Sequence, residues 1–151
     1  MSVPGLELRT AVTDDLPGLR EVYRAASLSN AGDAPVLLAR PEYLVFSGDR
    51  IEAGGTVVAL AEGRVVGFAT VADGDELEDL FVDPGWQRRG IARVLVRRIA
   101  EAVREAGHSR LWVTGNPHAL EFYRAAGFVE VDHIATELGN GLRMALDLTG
   151  P

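Results

Sequence analysis

The sequence contains no cysteine, so the chain has no disulfide framework and no thiolate that could serve as a nucleophile or metal ligand. It also lacks an apolar run long enough to span a bilayer, and residues 1–4 lack the basic and apolar regions of a signal peptide. We therefore expect a cytoplasmic protein that does not bind membranes. There is no excess of basic residues, since the formal net charge is -7. This charge argues against nucleic acid as a partner.

The length of 151 residues and the 47% hydrophobic content suit one globular domain over residues 1–151. Its first half reads as strand 6–10, a helix capped by Thr13 or Asp14, and a breaker-rich loop. A second amphipathic helix is expected within residues 36–53, although Pro41 interrupts it. Two β-rich runs at 56–61 and 65–71 follow, joined by a hairpin turn.

The second half begins with a strand over residues 77–82 that Pro84 stops, since proline cannot donate to a sheet ladder. A helix from Gly90 to Gly107 follows, because Ile91, Leu95, Ile99, Ala102 and Ala106 have the spacing of one helix face. A short strand is predicted at 111–114 and a helix from a cap at Asn116 to Gly127. Strands at 129–136 and 142–148 form a final hairpin. This order predicts an α+β fold with a mostly antiparallel sheet.

The loop between the strand at 77–82 and the Gly90 helix contains the pattern Gln87-x-x-Gly90-x-Ala92, with Arg88 and Arg89 inside it. The first amides of a helix have no intrahelical partners and lie at the positive end of the macrodipole, so they hold a phosphate well. Gly90 allows close backbone approach, and the arginines add charge-assisted hydrogen bonds. The loop is predicted to bind a diphosphate.

Two blocks resemble the GNAT superfamily of N-acetyltransferases. The segment Val82-Asp83-Pro84-x-x-Gln87-x-x-Gly90-x-Ala92 is similar to its acyl-CoA signature, and the block from Asn116 to Phe128, with Phe122-Tyr123 at its centre, is similar to its C-terminal motif. The resemblance implies the GNAT fold, a mostly antiparallel central sheet of about seven strands flanked by about four helices. In that fold the strands ending near Val82 and Val113 splay apart to hold acetyl-CoA.

The resemblance also implies an activity, the transfer of an acetyl group from acetyl-CoA to a primary amine by direct attack in a ternary complex. The acceptor is expected to be a small-molecule or peptide amine, and the protein a monomer or homodimer. Carried over residue by residue, the cofactor-binding positions are Leu80, Phe81, Val82, Gln87, Arg88, Arg89, Gly90, Ile91, Ala92, Asn116 and Tyr123.

The resemblance makes Tyr123 the candidate general acid, because a phenol with a pKa near 10 can protonate a thiolate whose acid has a pKa near 8.5. A core aromatic is the alternative for this residue. Leu80 offers a backbone amide to the thioester oxygen. For the base, Glu76 and Glu78 lie two apart on one strand, so both are expected on one face. A water relay, or two merely solvated carboxylates, are the alternatives.

No metal site is expected, because His108, His118 and His133 show no ligand spacing and the acidic stretch 73–79 does not match a calcium loop. One rival function is a non-catalytic acyl-CoA-binding sensor with the same fold. A nucleotide-binding α/β domain is a second rival, but the hairpin run before the loop differs from the alternating strands and helices of that class.

Overall fold

A computed structural model of the chain describes residues 3–29, 33–115, 119–136 and 139–149. Its strands are β1 (Glu7–Thr10), β2 (Thr56–Ala61), β3 (Arg64–Ala72), β4 (Glu76–Val82), β5 (Arg110–Gly115), β6 (Val129–Thr136) and β7 (Gly139–Asp147). Its α-helices are α1 (Leu16–Leu28), α2 (Ala34–Ala39), α3 (Ile91–Glu105) and α4 (Leu120–Ala125). Short 3-10 turns cover Thr13–Asp15, Pro41–Leu44 and Pro84–Trp86.

The strands form one sheet in the order β1-β2-β3-β4-β5-β7-β6. Every neighbouring pair in this sheet is antiparallel except β4 and β5, which run parallel. The predicted α+β class, with about seven strands and about four helices, is therefore confirmed for the described part of the chain.

The core lies on both faces of the sheet. Successive strand residues point to opposite faces, and accordingly Phe68 packs in the cluster that contains Leu19 and Val22 of α1, while Ala69 packs in the cluster that contains Leu95 of α3. Helix α1 thus covers one face and α3 the other.

Strands β4 and β5 pair over a short stretch and then separate. Their register joins Glu76 to Trp112 and Leu77 to Val113, and residues 78–82 of β4 have no partner in β5. This opening is the splay that the sequence resemblance implied. It leaves a gap in the middle of the sheet next to the end of β4.

The start of α1 differs from the prediction. Neither Thr13 nor Asp14 caps the helix. Instead, the carboxylate of Asp15 accepts a hydrogen bond from the Val12 amide (2.8 Å) and pairs with Arg9 (2.8 Å). The Arg9 guanidinium lowers the pKa of Asp15. The 3-10 turn at Thr13–Asp15 places Asp15 at the N-cap position of α1, where its side chain makes no capping bond to the helix.

The amphipathic helix predicted within residues 36–53 is wrong. Helix α2 ends at Ala39, a 3-10 turn covers Pro41–Leu44, and the chain then runs through turns to β2. Proline disfavours helical geometry in the residue before it, and Arg40 adopts φ -131° and ψ 76°. Phe46 and Ile51 are nevertheless buried, packed in the α1 cluster from a non-helical loop.

Helix α3 has the predicted extent but a different buried stripe in its second half. Ala102 and Ala106 are exposed, whereas Val96 and Val103 are buried. The larger side chains therefore face the sheet. The predicted cap of the last helix at Asn116 lies outside the described residues, and α4 is observed from Leu120, with Gly127 just beyond its end.

Candidate functional site

The turn after β4 is held by local hydrogen bonds. Asp83 caps the Pro84–Trp86 turn, with its carboxylate accepting from the Gly85 amide at 2.9 Å. Gln87 Nε2 then donates to the carbonyl of Val82 at 3.3 Å, which ties the loop back to the end of the strand. These contacts fix the direction from which the chain enters α3.

The first turn of α3 leaves its amides available. Gly90 precedes the helix in the left-handed conformation (φ 84°), and no side chain caps the helix. Because the first intrahelical bond is made by the Val94 amide to the Gly90 carbonyl (3.1 Å), the amides of Ile91, Ala92 and Arg93 have no intrahelical acceptor. The helix therefore presents donors and the positive end of its dipole at this point.

Strand β4 presents backbone groups to the gap beside it. The Asp83 amide donates to the Val66 carbonyl at 2.8 Å, and the register pairs Val82 with Gly67. In an antiparallel ladder hydrogen-bonded and non-bonded pairs alternate, so Leu80 and Val82 are non-bonded toward β3. Their amides and carbonyls point away from β3, into the splayed gap.

A large cleft of about 610 Å³ lies where these elements meet. Its lining comes from the end of β4, the loop and first turn of α3, α4 and the end of α1. The lining residues are Ala26, Ser29, Leu80, Phe81, Val82, Trp86, Gln87, Arg88, Gly90, Ile91, Ala92, Arg93, Ala119, Phe122 and Tyr123.

Most of the predicted cofactor-binding residues line this large cleft. They are Leu80, Phe81, Val82, Gln87, Arg88, Gly90, Ile91, Ala92 and Tyr123. Arg89 does not line it, because its guanidinium stacks on the Trp86 ring at 4.8 Å from the centroid. The remaining predicted position, Asn116, lies outside the described residues.

Tyr123 is both a core aromatic and a cleft residue. Its side chain is only 8% exposed, and its ring packs against Phe122 and Phe128 at centroid distances of 5.3 and 5.4 Å. Burial raises the pKa of Tyr123 to about 12. Gly115 at the end of β5 allows this packing, because a Cβ there would lie 3.2 Å from Tyr123 Cδ2.

Glu76 and Glu78, the two predicted candidate bases, do not line the large cleft and have separate partners. Both oxygens of Glu76 are occupied by Arg143, with Nη1–Oε2 and Nη2–Oε1 distances of 2.6 Å. Glu78 is exposed and pairs with Arg50 at 3.4 Å. The register between β3 and β4 shifts so that Glu78 has no partner, which makes it the extra residue of a β-bulge.

A small cavity of about 220 Å³ lies on the α1 side of β4. The small cavity adjoins the large cleft, since Phe81 lines that cleft and its ring contacts Tyr23 of the small cavity edge-on at 4.8 Å. The lining residues of the small cavity are Tyr23, Val45, Phe46, Ser47, Asp49, Arg50, Glu78 and Asp79.

Sequence reasoning overlooked Asp79, which it grouped with the solvated carboxylates of residues 73–79. Burial raises the pKa of Asp79 to about 6, and the neighbouring Glu78 adds to the shift, while a hydrogen bond from Thr70 and the charge of Arg50 oppose it. The one sequence feature that could have indicated a buried carboxylate is that Asp79 is followed directly by the apolar run Leu80–Val82. The cavity that Asp79 faces is formed by segments far away along the chain, so it could not be read from that pattern.

Two further observations concern the described residues as a set. No group of three or more His, Asp or Glu side chains within them could hold a metal ion. Likewise, none of the helices found in these segments is long and apolar enough to cross a membrane.

Comparison with protein families gives one clear match. The model of the acetyltransferase (GNAT) family matches residues 17–128 of this chain. Streptothricin acetyltransferase from Streptomyces lavendulae is 42% identical over 82 residues, which cover 48% of this chain and 43% of that protein. The [ribosomal protein bS18]-alanine N-acetyltransferase of Escherichia coli K12 is 31% identical over 74 residues (45% and 50%). The chain thus spans about half the length of the curated relatives it matches.

Solved structures match over nearly the whole chain. A GCN5-related N-acetyltransferase from Rhodopseudomonas palustris superposes with a TM-score of 0.80 at 18% identity, covering 97% of this chain and 98% of that one. The PaiA N-acetyltransferase from Thermoplasma acidophilum, solved in complex with coenzyme A, gives 0.72 at 19% identity (94% and 98%). At these identities the likeness establishes the fold.

Proposed function

Because the chain belongs to the acetyltransferase (GNAT) family, we propose that it transfers an acetyl group from acetyl-CoA to a primary amine by direct attack in a ternary complex. One observation carries this proposal. The splayed end of β4, the uncapped start of α3 and the Tyr123 side chain meet in one cleft of about 610 Å³.

The residues at the start of α3 fit a diphosphate. The amides of Ile91, Ala92 and Arg93 are available, Gly90 adds no side chain between them and a ligand, and Arg88 brings a guanidinium to the lining. An Arg within ~4 Å of a phosphate gains about 4 kcal/mol at an effective dielectric near 20, which outweighs the screened negative charge of the remaining surface. Arg89, stacked on Trp86, has a supporting role.

The exposed edge of β4 fits the amide-containing arm of coenzyme A. Val82 and Leu80 direct backbone groups into the gap, where an extended ligand can pair as an added strand. When bound, acetyl-CoA supplies an activated acyl group as a thioester. The Leu80 amide is the donor that we assign to the thioester oxygen, because a preorganised N–H stabilises the negative charge that develops there.

Tyr123 is the group that we assign to protonate the leaving thiolate. The phenol lines the cleft, and its pKa of about 12 keeps it protonated throughout the neutral range. A thiolate whose acid has a pKa near 8.5 is a weaker base than this phenolate, so the transfer is uphill and is completed when the nitrogen of the attacking amine restores the phenol proton. Asn116 is retained as a proposed cofactor contact on the basis of the family motif alone.

The acceptor is proposed to be a small-molecule or peptide amine. One matched relative is named for streptothricin and another for the alanine of a ribosomal protein, so both classes are represented among similar proteins. The net charge of -7 favours cationic acceptors over anionic ones. We propose a cytoplasmic protein that acts as a monomer or homodimer without nucleic acid or membrane partners.

The experiment combines binding and turnover. Calorimetric titration with coenzyme A should show binding, and release of free thiol from acetyl-CoA should occur with at least one of streptothricin, spermidine, alaninamide and Nα-acetyllysine amide. Coenzyme A binding without thiol release for any amine would support the sensor alternative. Absence of coenzyme A binding would refute both.

A further inference from the structure

We infer that Asp79 removes the proton from the acceptor's ammonium group, and that the small cavity beside Asp79 receives the acceptor. This inference rests on the proposed acetyltransferase function, and it assigns the base to a residue other than Glu76 or Glu78.

Asp79 lies where the small cavity and the splayed gap approach each other. Its side chain lines the small cavity, while the next residue, Leu80, directs its amide into the gap and lines the large cleft. The β-bulge at Glu78 places both Glu78 and Asp79 on the cavity wall, although consecutive strand residues normally alternate. A carboxylate is thereby set one residue from the proposed thioester donor.

A chain of hydroxyl groups fixes the orientation of the Asp79 carboxylate. Thr70 is the register partner of Asp79 on β3, and its hydroxyl lowers the pKa of Asp79 as a hydrogen-bond donor, since an ionised carboxylate only accepts. The Thr56 and Thr70 hydroxyls are 3.2 Å apart, and we assign Thr56 as the donor of that bond because Thr70 gives its own proton to Asp79. Both threonines are at most 1% exposed, so this chain is built into the core of the sheet. Buried polar networks of this kind hold a side chain in one geometry.

The groups that face Asp79 favour a cation in the cavity. The bulge residue Glu78 lies on the same strand, the loop before β2 contributes Asp49 and Arg50, and α1 contributes the Tyr23 phenol. Three carboxylates therefore face one guanidinium, which is itself paired with Glu78. The rings of Tyr23 and Phe46 also line the cavity, and aromatic faces attract ammonium groups.

The competing carboxylates are less available than Asp79. Glu76 has both oxygens engaged by Arg143, and Glu78 is exposed and paired with Arg50. The Thr70 hydroxyl and the charge of Arg50 lower the pKa of Asp79, yet burial raises it from 3.8 to about 6. Each pKa unit is a factor of ten, so proton transfer from an ammonium to Asp79 is about a hundredfold more favourable than to an unperturbed aspartate.

The proposed reaction releases one proton for each acetyl group transferred. Asp79 accepts one proton from the acceptor's R–NH3+, which frees the lone pair of the amine to form the C–N bond. The C–S bond breaks with its electron pair moving to sulfur, and Tyr123 gives its proton to that thiolate. The second proton of the amine nitrogen restores the Tyr123 phenol, and Asp79 releases its proton to solvent. The products are an N-acetylated amine, coenzyme A and one proton.

The test compares four variants, using acetyl-CoA and the amine of the panel above that the wild-type protein acetylates fastest. Asp79→Asn should lower kcat/KM by roughly a hundredfold or more, and should abolish the acidic limb that we expect near pH 6 in the wild-type profile. Asp79→Glu should retain the acidic limb and part of the wild-type kcat/KM. Asp73→Asn is the matched control, because it removes the same charge from an exposed turn position, and it should leave the profile unchanged.

Thr70→Val tests whether the acidic limb of the rate profile follows the pKa of Asp79, which a purely structural role of Asp79 would not produce. The Thr70 hydrogen bond lowers the pKa of Asp79, so its removal should shift the acidic limb to higher pH. NMR titration of the Asp79 carboxyl carbon in the protein without ligands should show the same upward shift. This measurement remains informative if Asp79→Asn fails to fold.

The outcomes separate this inference from the proposed function. If the wild type binds coenzyme A and acetylates an amine while Asp79→Asn keeps the wild-type rate and acidic limb, the Asp79 assignment is overturned and the acetyltransferase function stands. An unmoved limb in Thr70→Val would overturn it as well. Failure of the wild type to bind coenzyme A would overturn both.

Discussion

The large cleft and the small cavity, which adjoin where Phe81 contacts Tyr23, are built in different ways. The large cleft takes its polar groups from contiguous backbone, namely the edge of β4 and the first turn of α3. The small cavity takes its polar groups from side chains on three separate segments, α1, the loop before β2 and β4. One is a surface of amides and the other a surface of charged and aromatic side chains.

The difference matches two recognition tasks. A backbone site needs only the conformation of a short segment, so one cofactor can be held by many sequences that share a loop and a helix start. A side-chain site depends on which residues the fold brings together, so it can vary from protein to protein on one scaffold. We therefore expect substitutions in the large cleft to affect cofactor affinity and substitutions around the small cavity to affect the acceptor and the pH dependence.

The largest effect is expected for Gly90→Val. Gly90 has φ 84°, where a β-branched residue is strained, and its added side chain would stand at the helix start. The dissociation constant for coenzyme A should rise roughly 100-fold in a calorimetric titration. Gly63→Val is the matched control, since Gly63 has φ 76° in the turn between β2 and β3 with open space around it. Equal coenzyme A affinity in the two variants would contradict the backbone site.

Tyr123→Phe should lower kcat by about 100-fold while leaving coenzyme A affinity within twofold. Phenylalanine keeps the ring contacts with Phe122 and Phe128, so only the proton donor is lost. Because the pKa of Tyr123 is about 12, its ionisation should not produce a basic limb in the wild-type rate profile below about pH 11. Steady-state thiol release and calorimetry on the same variant separate the two readouts. If Tyr123→Phe keeps the wild-type turnover, Tyr123 serves only to pack the core.

Asp79→Asn should raise thermal stability at neutral pH. The folded pKa of Asp79 is about 6 against 3.8 unfolded, so between these values the native state holds a proton that the unfolded state has released. Wild-type stability is thus lowered as pH rises from 4 to 6, by at most about 3 kcal/mol. The variant lacks this loss, and its melting temperature should exceed that of the wild type by about 4–10 °C at pH 7.5.

The same melting curves recorded near pH 3, below both pKa values, supply the control for Asp79→Asn. Both states of the wild type are then largely protonated at Asp79, so the difference between variant and wild type should shrink toward zero. A constant difference across pH would mean that the substitution acts through packing.

Arg88→Gln and Arg89→Gln should differ in their effect on coenzyme A affinity. Arg88 lines the large cleft, whereas Arg89 stacks on Trp86, so we expect about a tenfold loss for the first and about a twofold loss for the second. The loss of affinity caused by Arg88→Gln should be smaller at high salt than at low salt, because screening weakens an ionic contact. A larger loss for Arg89→Gln would assign the phosphate contact to that residue instead.

The smallest effect is expected for Glu76→Gln. Its ion pair with Arg143 is partly exposed, so the free energy of unfolding should fall by no more than about 1 kcal/mol in denaturant titrations. Turnover should stay within about threefold, because Glu76 lines neither the large cleft nor the small cavity. A hundredfold loss of turnover with normal coenzyme A binding would assign the base to Glu76 and remove it from Asp79.

Much of the fold was predictable because its elements carry local signals. The run from Thr56 to Ala72 shows two β-rich segments around a glycine turn, and the periodicity after Gly90 predicts α3. The region between α1 and β2 was not predictable in the same way. Its apolar residues Tyr43, Phe46 and Ile51 suggested an amphipathic helix, but Pro41 breaks the helix, and tertiary packing buries Phe46 and Ile51 from a loop.

The sequence by itself determined the loop from Gln87 to Ala92, since a turn, a glycine and a helix start are encoded in neighbouring residues and need no distant partner. Only the tertiary structure decided which carboxylate is free to act. Glu76 is occupied by Arg143, 67 residues away along the chain, while Asp79 lines a cavity formed by α1 and the loop before β2 and lies opposite a threonine of β3. The physical reason is that burial and ion pairing set the protonation of a carboxylate, and both depend on residues that approach it only when the sheet has formed.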